Sequence, residues 1–309
     1  MVALAIGMVI SLAAAVLYLG VRQTARAAQS ISDINQTGKL ALEVVGRELE
    51  KAGFYPADFP STASQGGQMG TYINVENPSA VAARKLVFDQ GLFGCNGARF
   101  DPGSSSCAVP TDETGSVPDS IVINYFATPE FGAAALIGNG NDCNRNPVSN
   151  DTANSTRTGL PLFVSNRFAL VAQTLAGPDG PVSTHTLSCH GNGNQAGDYQ
   201  PLLDGIDDMV IGYGVYPSTG STQSPARFYA ADTLKAADWK RVSAVRLCFI
   251  VRSIDSSARL QDKAGHARSK PSCRDGMTTP ATAPTALAAD DHYLYRKFEQ
   301  VFAVRNNLL

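Results

Sequence analysis

The first fifty or so residues constrain the fold more than any other part of the chain. Residues 1–21 carry no charged side chain, and apolar or small residues fill nearly every position. About 20 residues rising ~1.5 Å each span ~30 Å, which is the thickness of the hydrocarbon core of a bilayer. The sequence therefore predicts that residues 1–21 form a transmembrane helix.

The next segment continues this helix but changes its character. Charges enter at Arg22, and apolar or small residues then recur at steps of three and four, which places them on one helix face. The residues expected to pack this face on a folded domain are Ile31, Ile34, Gly38, Leu42, Val45 and Leu49. Gly53 stands where a C-cap glycine would, and Pro56 follows it, so we expect the helix to end near Ala52. Residues 22–53 thus form the amphipathic half of one helix.

The apolar half also contains small residues, at Gly7, Ser11, Ala14 and Ala15. Small side chains let helices approach closely in lipid or in the core of a filament. We therefore expect these four residues to serve helix packing in an assembly. A simple single-pass anchor remains the alternative.

The rest of the chain has the composition of a loop-rich domain outside the cytoplasm. Lys and Arg number 25 and Asp and Glu number 27, so the formal net charge is -2 and gives no reason to expect a nucleic-acid partner. Residues 54–70, which contain a Ser-, Gly- and Gln-rich stretch, are expected to be a linker. Residues 71–309 are then long enough for one β-rich periplasmic domain.

Six cysteines occur, and none of them forms a CxxC pair. Their even number, together with an N-terminal membrane segment, favours disulfides formed in an oxidising compartment. The sequence cannot choose among the many possible pairings. Proximity along the chain suggests Cys95 with Cys107, Cys143 with Cys189, and Cys248 with Cys273.

Several short segments rich in β-branched and aromatic residues predict strands. The clearest lie at 119–126, 184–189, 206–216, 242–251 and 292–305, while 163–174 is expected to be a strand pair or a strand and a turn. Crossover helices are too few to join parallel strands. The predicted fold class is therefore α+β, with a long N-terminal helix on a mostly antiparallel sheet that carries long, disulfide-pinned loops.

Motifs for catalysis are absent from the sequence. It contains no GxSxG, HExxH, Walker A or GxGxxG pattern. The nearest approach to a metal cluster is His185, Cys189 and His190, but a structural zinc site needs about four ligands, and a disulfide explains Cys189 better. The Asn-rich segment 139–146 lacks the carboxylates of a calcium loop. We predict no enzymatic activity, no metal and no cofactor.

Two other features suggest function only weakly. Asp204, Asp207 and Asp208 form a carboxylate cluster, but neighbouring residues of a strand point to opposite faces. We expect them to be a solvated entry to a strand. The single tryptophan, Trp239, is expected to be a packing residue at a strand start.

A helix that is a membrane anchor at one end and a core element at the other is typical of type IV pilins and pseudopilins. The start MVALAIG and the stretch NQTGKLALEVVGRELEKAGFY (35–55) resemble the N-terminal region of PilW-type minor pilins. So do PLLDGIDDMVIGYGV (201–215), WKRVSAVRLCFIVRS (239–253) and RKFEQVFAVRN (296–306). The family's processing motif, Gly followed by Phe-Thr-Leu-x-Glu-Leu, is missing ahead of Met1. We expect a trimmed sequence or a start assigned to an internal Met, with a truncated copy as the alternative.

The resemblance implies a non-enzymatic minor pilin that helps to prime type IV pilus assembly and sits in the tip complex. It would be a single-pass inner-membrane protein with a periplasmic domain, and later part of the pilus tip at the cell surface. The implied partners are other minor pilins, the major pilin, a large tip adhesin, the prepilin peptidase and the inner-membrane assembly platform. A type II secretion pseudopilin and a membrane-anchored periplasmic binding module remain alternatives.

Overall fold

The computed structural model supports description of most of the helix and sheet. The described residues are 2–54, 91–101, 106–111, 113, 116–127, 141–148, 162–177, 180–193, 198–217, 225, 227–255, 269–274, 285–287 and 291–306. The predicted linker at 54–70 lies outside them apart from Phe54.

The N-terminal segment forms one continuous helix, α1, from Val2 to Lys51. Gly53 follows with a φ of 73°, the left-handed conformation that glycine adopts most readily after a helix. Its N–H donates to the carbonyl of Asn124 at 2.8 Å, which ties the end of the helix to the sheet. The long helix predicted from the sequence and its end near Ala52 are confirmed.

Twelve strands are described, together with a 3₁₀ turn at Ala231–Thr233 and a short helix, α2, at Ala236–Trp239. The strands are β1 (Leu92–Cys95), β2 (Arg99–Asp101), β3 (Ser106–Ala108), β4 (Ser120–Ala127), β5 (Leu162–Gly177), β6 (Gly180–Gly191), β7 (Gln200–Val215), β8 (Phe228–Tyr229), β9 (Val242–Arg252), β10 (Ser269–Lys270), β11 (Thr285–Ala286) and β12 (Tyr295–Ala303). The main sheet has the order β1-β4-β5-β6-β7-β9-β12, and β8 pairs with β7. All pairings among these strands are antiparallel, so the predicted α+β class is confirmed.

One strand prediction is wrong. The segment 163–174 is neither a strand pair nor a strand and a turn, because β5 runs unbroken through it and forms a long hairpin with β6. Its polar residues Asn166 and Arg167 are almost completely buried. They bond to groups of neighbouring elements, with Asn166 donating to Glu48 and Arg167 donating to the carbonyl of His190. These bonds to neighbouring elements let both polar side chains lie within a continuous buried strand.

The helix packs on one face of the sheet and shares a single core with it. Alternate residues of the neighbouring strands β7 and β9 face this core. They are Met209, Ile211 and Tyr213 of β7 and Val245, Leu247, Phe249 and Val251 of β9. On the opposite face, Val210, Cys248 and Ile250 form a smaller cluster with Cys273. Both strands thus have the period-2 alternation of a sheet with two distinct faces.

All six cysteines form disulfides. The pairs are Cys95–Cys107, Cys143–Cys189 and Cys248–Cys273, with Cα–Cα distances of 5.5, 6.4 and 5.6 Å. These are the pairs that proximity along the chain suggested. They join residues 12, 46 and 25 positions apart, and a link of this kind adds about 3 kcal/mol to stability.

Candidate assembly surface

The first half of α1 projects away from the sheet domain. Its large apolar side chains between residues 6 and 21 are 55% to 74% exposed, and none of this stretch is buried within the described part of the chain. It is the one described helix that is long and apolar enough to cross a membrane. An exposed apolar surface of this extent is typical of a helix that lies in lipid or against another protein.

The four small residues predicted to pack helices lie on this projecting half. A Cβ added at Gly7 would meet no described atom within 4 Å. The hydroxyl of Ser11 donates to the carbonyl of Gly7 at 2.9 Å, so it is satisfied within the helix. Ala14 and Ala15 are exposed. The structure thus leaves all four residues accessible to a partner.

The second half of α1 lies on the sheet. Of the residues predicted to form its packed face, Ile34, Gly38, Leu42, Val45 and Leu49 are buried there. Ile31 is different, because 48% of it is exposed. Its neighbour Ser30 is only 5% exposed, so the packed face passes through Ser30 at this level of the helix and leaves Ile31 beside it.

Two glycines of the helix receive two aromatic rings of the last strand. A Cβ at Gly38 would overlap the ring of Phe298, and a Cβ at Gly46 would overlap the ring of Phe302. Gly38 and Gly46 are eight helix residues apart, which is a rise of ~12 Å, and Phe298 and Phe302 are four strand residues apart, which is a span of ~13 Å. Because these distances match, each ring can meet one glycine where α1 and β12 run side by side. Gly46 was not predicted. The only signal for it was a second small residue eight positions after Gly38.

A polar network fixes the C-terminal end of the helix. Glu48 accepts hydrogen bonds from Lys51 at 2.6 Å and from Asn166 of β5 at 2.8 Å. Burial, and then the nearby charge of Glu48, raise the pKa of Tyr125 above its usual range, so this phenol stays protonated. The ammonium of Lys51 lies 5.3 Å from the centroid of the Tyr125 ring. Apolar packing and this network together set how α1 lies on the sheet.

Two residues of the weak metal-like pattern His185, Cys189 and His190 have other partners in the structure. Cys189 is in a disulfide, and His185 pairs with Glu113, with Nε2 3.2 Å from Oε2. Within the described ranges, no three His, Cys, Asp or Glu residues are placed to hold one metal ion. In the Asn-rich segment, Asp142 accepts backbone hydrogen bonds from Asn144 and Asn146, which is the geometry of a polar turn.

The aspartate cluster is not the solvated strand entry that we expected. Asp204 accepts a hydrogen bond from Thr186, and Asp207 pairs with Lys270 of β10. Burial raises the pKa of Asp208. Asp204 is exposed, whereas Asp207 and Asp208 lie within β7 and are partly buried.

The single tryptophan lies at the end of α2, just before β9. Trp239 is 3% exposed, and its ring packs 4.8 Å from that of Tyr213 and 5.2 Å from that of Phe93, measured between centroids. It is thus a packing residue beside a strand start.

The sequence profile of the family described as Type IV Pilus-assembly protein W, PilW, matches residues 171–306. The resemblance to PilW is confirmed over this stretch. The PilW match covers somewhat less than half of the chain and runs from β5 to the end of β12, so it includes Phe298 and Phe302. The helix that they contact lies before it.

Two further comparisons complete the picture. The type IV-like pilin TTHA1219 from Thermus thermophilus aligns with 14% identity and a TM-score of 0.38, covering 92% of this chain and 98% of that one. No curated protein matches the chain.

Proposed function

We propose that this protein is a minor pilin that helps to prime type IV pilus assembly and takes a place in the tip complex. The observation that carries the proposal is an apolar helix that is exposed along its first half and seated on a sheet along its second. The PilW match over residues 171–306 supports the assignment to a pilus. The runner-up, a type II secretion pseudopilin, would use the same helix.

In this proposal the helix moves from lipid into a bundle of similar helices. Lipid tails are as apolar as leucine, so the move has little hydrophobic driving force and depends on close packing between helices. Gly7, Ser11, Ala14 and Ala15 are the residues that permit such packing. The second half of α1 is held on the sheet by Phe298, Phe302 and the Glu48 network. The sheet domain therefore moves together with the helix.

The remaining roles follow from this assignment. Before assembly the protein is anchored in the inner membrane with its domain in the periplasm, where three disulfides can form. Afterwards it lies at the pilus tip. Its partners are other minor pilins, the major pilin, a tip adhesin, the prepilin peptidase and the assembly platform. The protein performs no catalysis.

The test replaces Gly7 and Ser11 together with leucine in cells whose only copy is the variant. We expect at least a tenfold loss of surface pili with unchanged amounts of protein in the membrane, because two leucines prevent close helix contact. The matched control replaces Val9 and Val16 with leucine, which keeps the helix apolar and leaves the small residues in place. Pili should remain normal in that control.

Three results would oppose the proposal or part of it. Normal piliation with the Gly7 and Ser11 variant would exclude close packing at those residues. Loss of protein secretion with normal pili in a deletion strain would favour the type II secretion pseudopilin. Full function after exchange of residues 1–21 for an unrelated transmembrane helix would favour an anchored binding module.

A further inference from the structure

A polar cleft lies beside the β5–β6 hairpin, away from the features assigned to assembly. Its volume is about 360 Å³, within the range of small-molecule sites. The described side chains that line it come from β5, β6 and β7 and from Glu113. Ala172 is the apolar one among them, and the others carry hydroxyl, amide, imidazole or carboxylate groups.

The best-defined polar group in this cleft is the carboxylate of Glu113. Its side chain is 5% exposed and forms an ion pair with Arg99. Its Oε1 also accepts the backbone N–H of Ala172 at 3.2 Å, and its Oε2 lies 3.2 Å from Nε2 of His185. Three groups from different parts of the chain thus hold one buried carboxylate in a fixed position. Oε1 already accepts two of these bonds, from Arg99 and Ala172, whereas Oε2 can accept a further hydrogen bond.

A second observation is a buried hydroxyl without a partner. Thr184 lines the cleft and is 7% exposed, and its Oγ1 has no hydrogen-bond partner among the described residues. Buried polar groups are normally bonded, and leaving one unbonded is costly. Rotation between staggered χ1 wells moves Oγ1 without a backbone movement, and this is the change that a ligand in the cleft requires in order to bond with it.

The charges of the cleft narrow the class of ligand. Arg99 neutralises Glu113, and Lys270 neutralises Asp207, so the site has little net attraction for a cation or an anion. The hydroxyl, amide, imidazole and carboxylate groups of the lining disfavour a purely hydrophobic ligand. What fits is a neutral molecule with several hydroxyl groups, which can donate to the two carboxylates and accept from neutral side chains.

We propose that this cleft binds a sugar ring, either a free monosaccharide or the terminal residue of a glycan. Ligand hydroxyls donate to Glu113 and Asp207, and one of them bonds with Thr184. No Phe, Tyr or Trp lines the cleft among the described residues, so affinity depends on hydrogen bonds. The expected Kd is therefore about 1 mM.

The experiment uses the full chain in micelles of a detergent that has no sugar headgroup. Saturation-transfer difference NMR is recorded with glucose, galactose, mannose and N-acetylglucosamine at up to about 50 mM, a range that covers millimolar affinities. The same sugars are then presented at the end of a disaccharide. Preference for the disaccharide identifies a glycan terminus as the ligand, and equal binding identifies the free sugar.

The decisive variant is Thr184→Val, which keeps the shape of the side chain and removes the hydroxyl. Because that hydroxyl has no partner among the described residues, we expect an unchanged or higher Tm together with at least tenfold weaker sugar binding. The control is Thr233→Val, which removes a hydroxyl that donates to the carbonyl of Ala230 at 2.7 Å and does not line the cleft. This control should bind sugar as the wild type does.

Several outcomes would overturn the proposal. One is the absence of binding by every sugar tested, and another is wild-type affinity in Thr184→Val. Equal loss of binding in Thr233→Val would show that the effect is not local to the cleft. Binding of ammonium compounds or divalent cations, without binding of neutral sugars, would show that the cleft is a cation site and not a sugar site.

Discussion

The two halves of α1 are both rich in apolar residues, yet the structure treats them in opposite ways. Residues 6–21 are apolar around the whole circumference and exposed all round. From Ile34 to Ala52 the helix buries one stripe and exposes its charges. A helix that is apolar on every side needs a surrounding medium, whereas one that is apolar along a stripe needs a single surface.

The two halves of α1 also differ in what their apolar residues stabilise. Burial of the second half removes apolar area from water and contributes to the folding of the domain at about 25 cal/mol per Å². The first half has no such gain within its own chain. Variants in the seated half should therefore change unfolding, and variants in the projecting half should change assembly alone.

The largest expected effect comes from Leu49→Ala. Leu49 is completely buried in the core shared by helix and sheet, so its truncation leaves a cavity and should lower the free energy of unfolding by about 4 kcal/mol. Urea unfolding followed by the fluorescence of Trp239 measures this. The matched control, Leu12→Ala, truncates an exposed leucine of the projecting half and should leave the curve unchanged. A shift of the unfolding curve in that control would show that the projecting half also contributes to the stability of the domain.

The next largest effect is a dependence of the stability of the sheet domain on pH. Burial raises the pKa of Asp119 to about 6, although its carboxylate accepts N–H groups from Ile211 and Gly97. The folded state therefore binds a proton more tightly than the unfolded state, and stability is lost as pH rises from about 4 through 6. A shift of about two pKa units corresponds to about 3 kcal/mol.

The measurement compares the wild type with Asp119→Asn in urea at several pH values. The wild type should lose about 3 kcal/mol relative to the variant between about pH 4 and pH 7, because the amide does not titrate. Parallel pH profiles of the two proteins would contradict this. Residues 6–21 contain no carboxylate or histidine, so the projecting half should not contribute.

A smaller effect is expected from Gly46→Ala. The added methyl group overlaps the ring of Phe302, and overpacking of about 1–3 kcal/mol exceeds the gain of up to about 1 kcal/mol from replacing glycine in a helix. We expect a net loss of about 1 kcal/mol in urea unfolding. Adding Phe302→Leu should recover part of it, since the smaller side chain makes room for the methyl group.

Gly7→Ala provides the matched control for the projecting half. A Cβ there meets no described atom, so the unfolding of the domain should not change.

The double variant tests whether Gly46 and Phe302 are coupled. Additive effects of Gly46→Ala and Phe302→Leu on the free energy of unfolding would show that the two residues are not coupled.

The smallest expected effect comes from Lys51→Ala. Its ion pair with Glu48 is half exposed on the lysine side, and such pairs contribute about 0.5 kcal/mol or less. The loss should shrink further in about 1 M salt, which screens charges over ~3 Å. A loss above about 2 kcal/mol that persists in salt would mean that the contact with the Tyr125 ring dominates.

The sequence predicted much of the fold because many of its determinants are local. Helix periodicity, the glycine after the helix and the alternation in β7 and β9 depend on residues close together in the chain. The candidate site was only partly predictable. The periodicity that selected Ile34 and Leu49 also selected Ile31, and it offered no reason to select Gly46.

The sequence by itself determined that a membrane-length helix continues into an amphipathic one and is followed by a disulfide-linked antiparallel sheet domain. Only the tertiary structure decided that the helix turns Ser30 and not Ile31 toward the domain, and that β12 brings Phe298 and Phe302 to Gly38 and Gly46. It also brought Glu113, Arg99 and His185 together at one cleft. The physical reason is that these contacts join residues far apart in the chain, and no local pattern records which distant side chain will fill a given space.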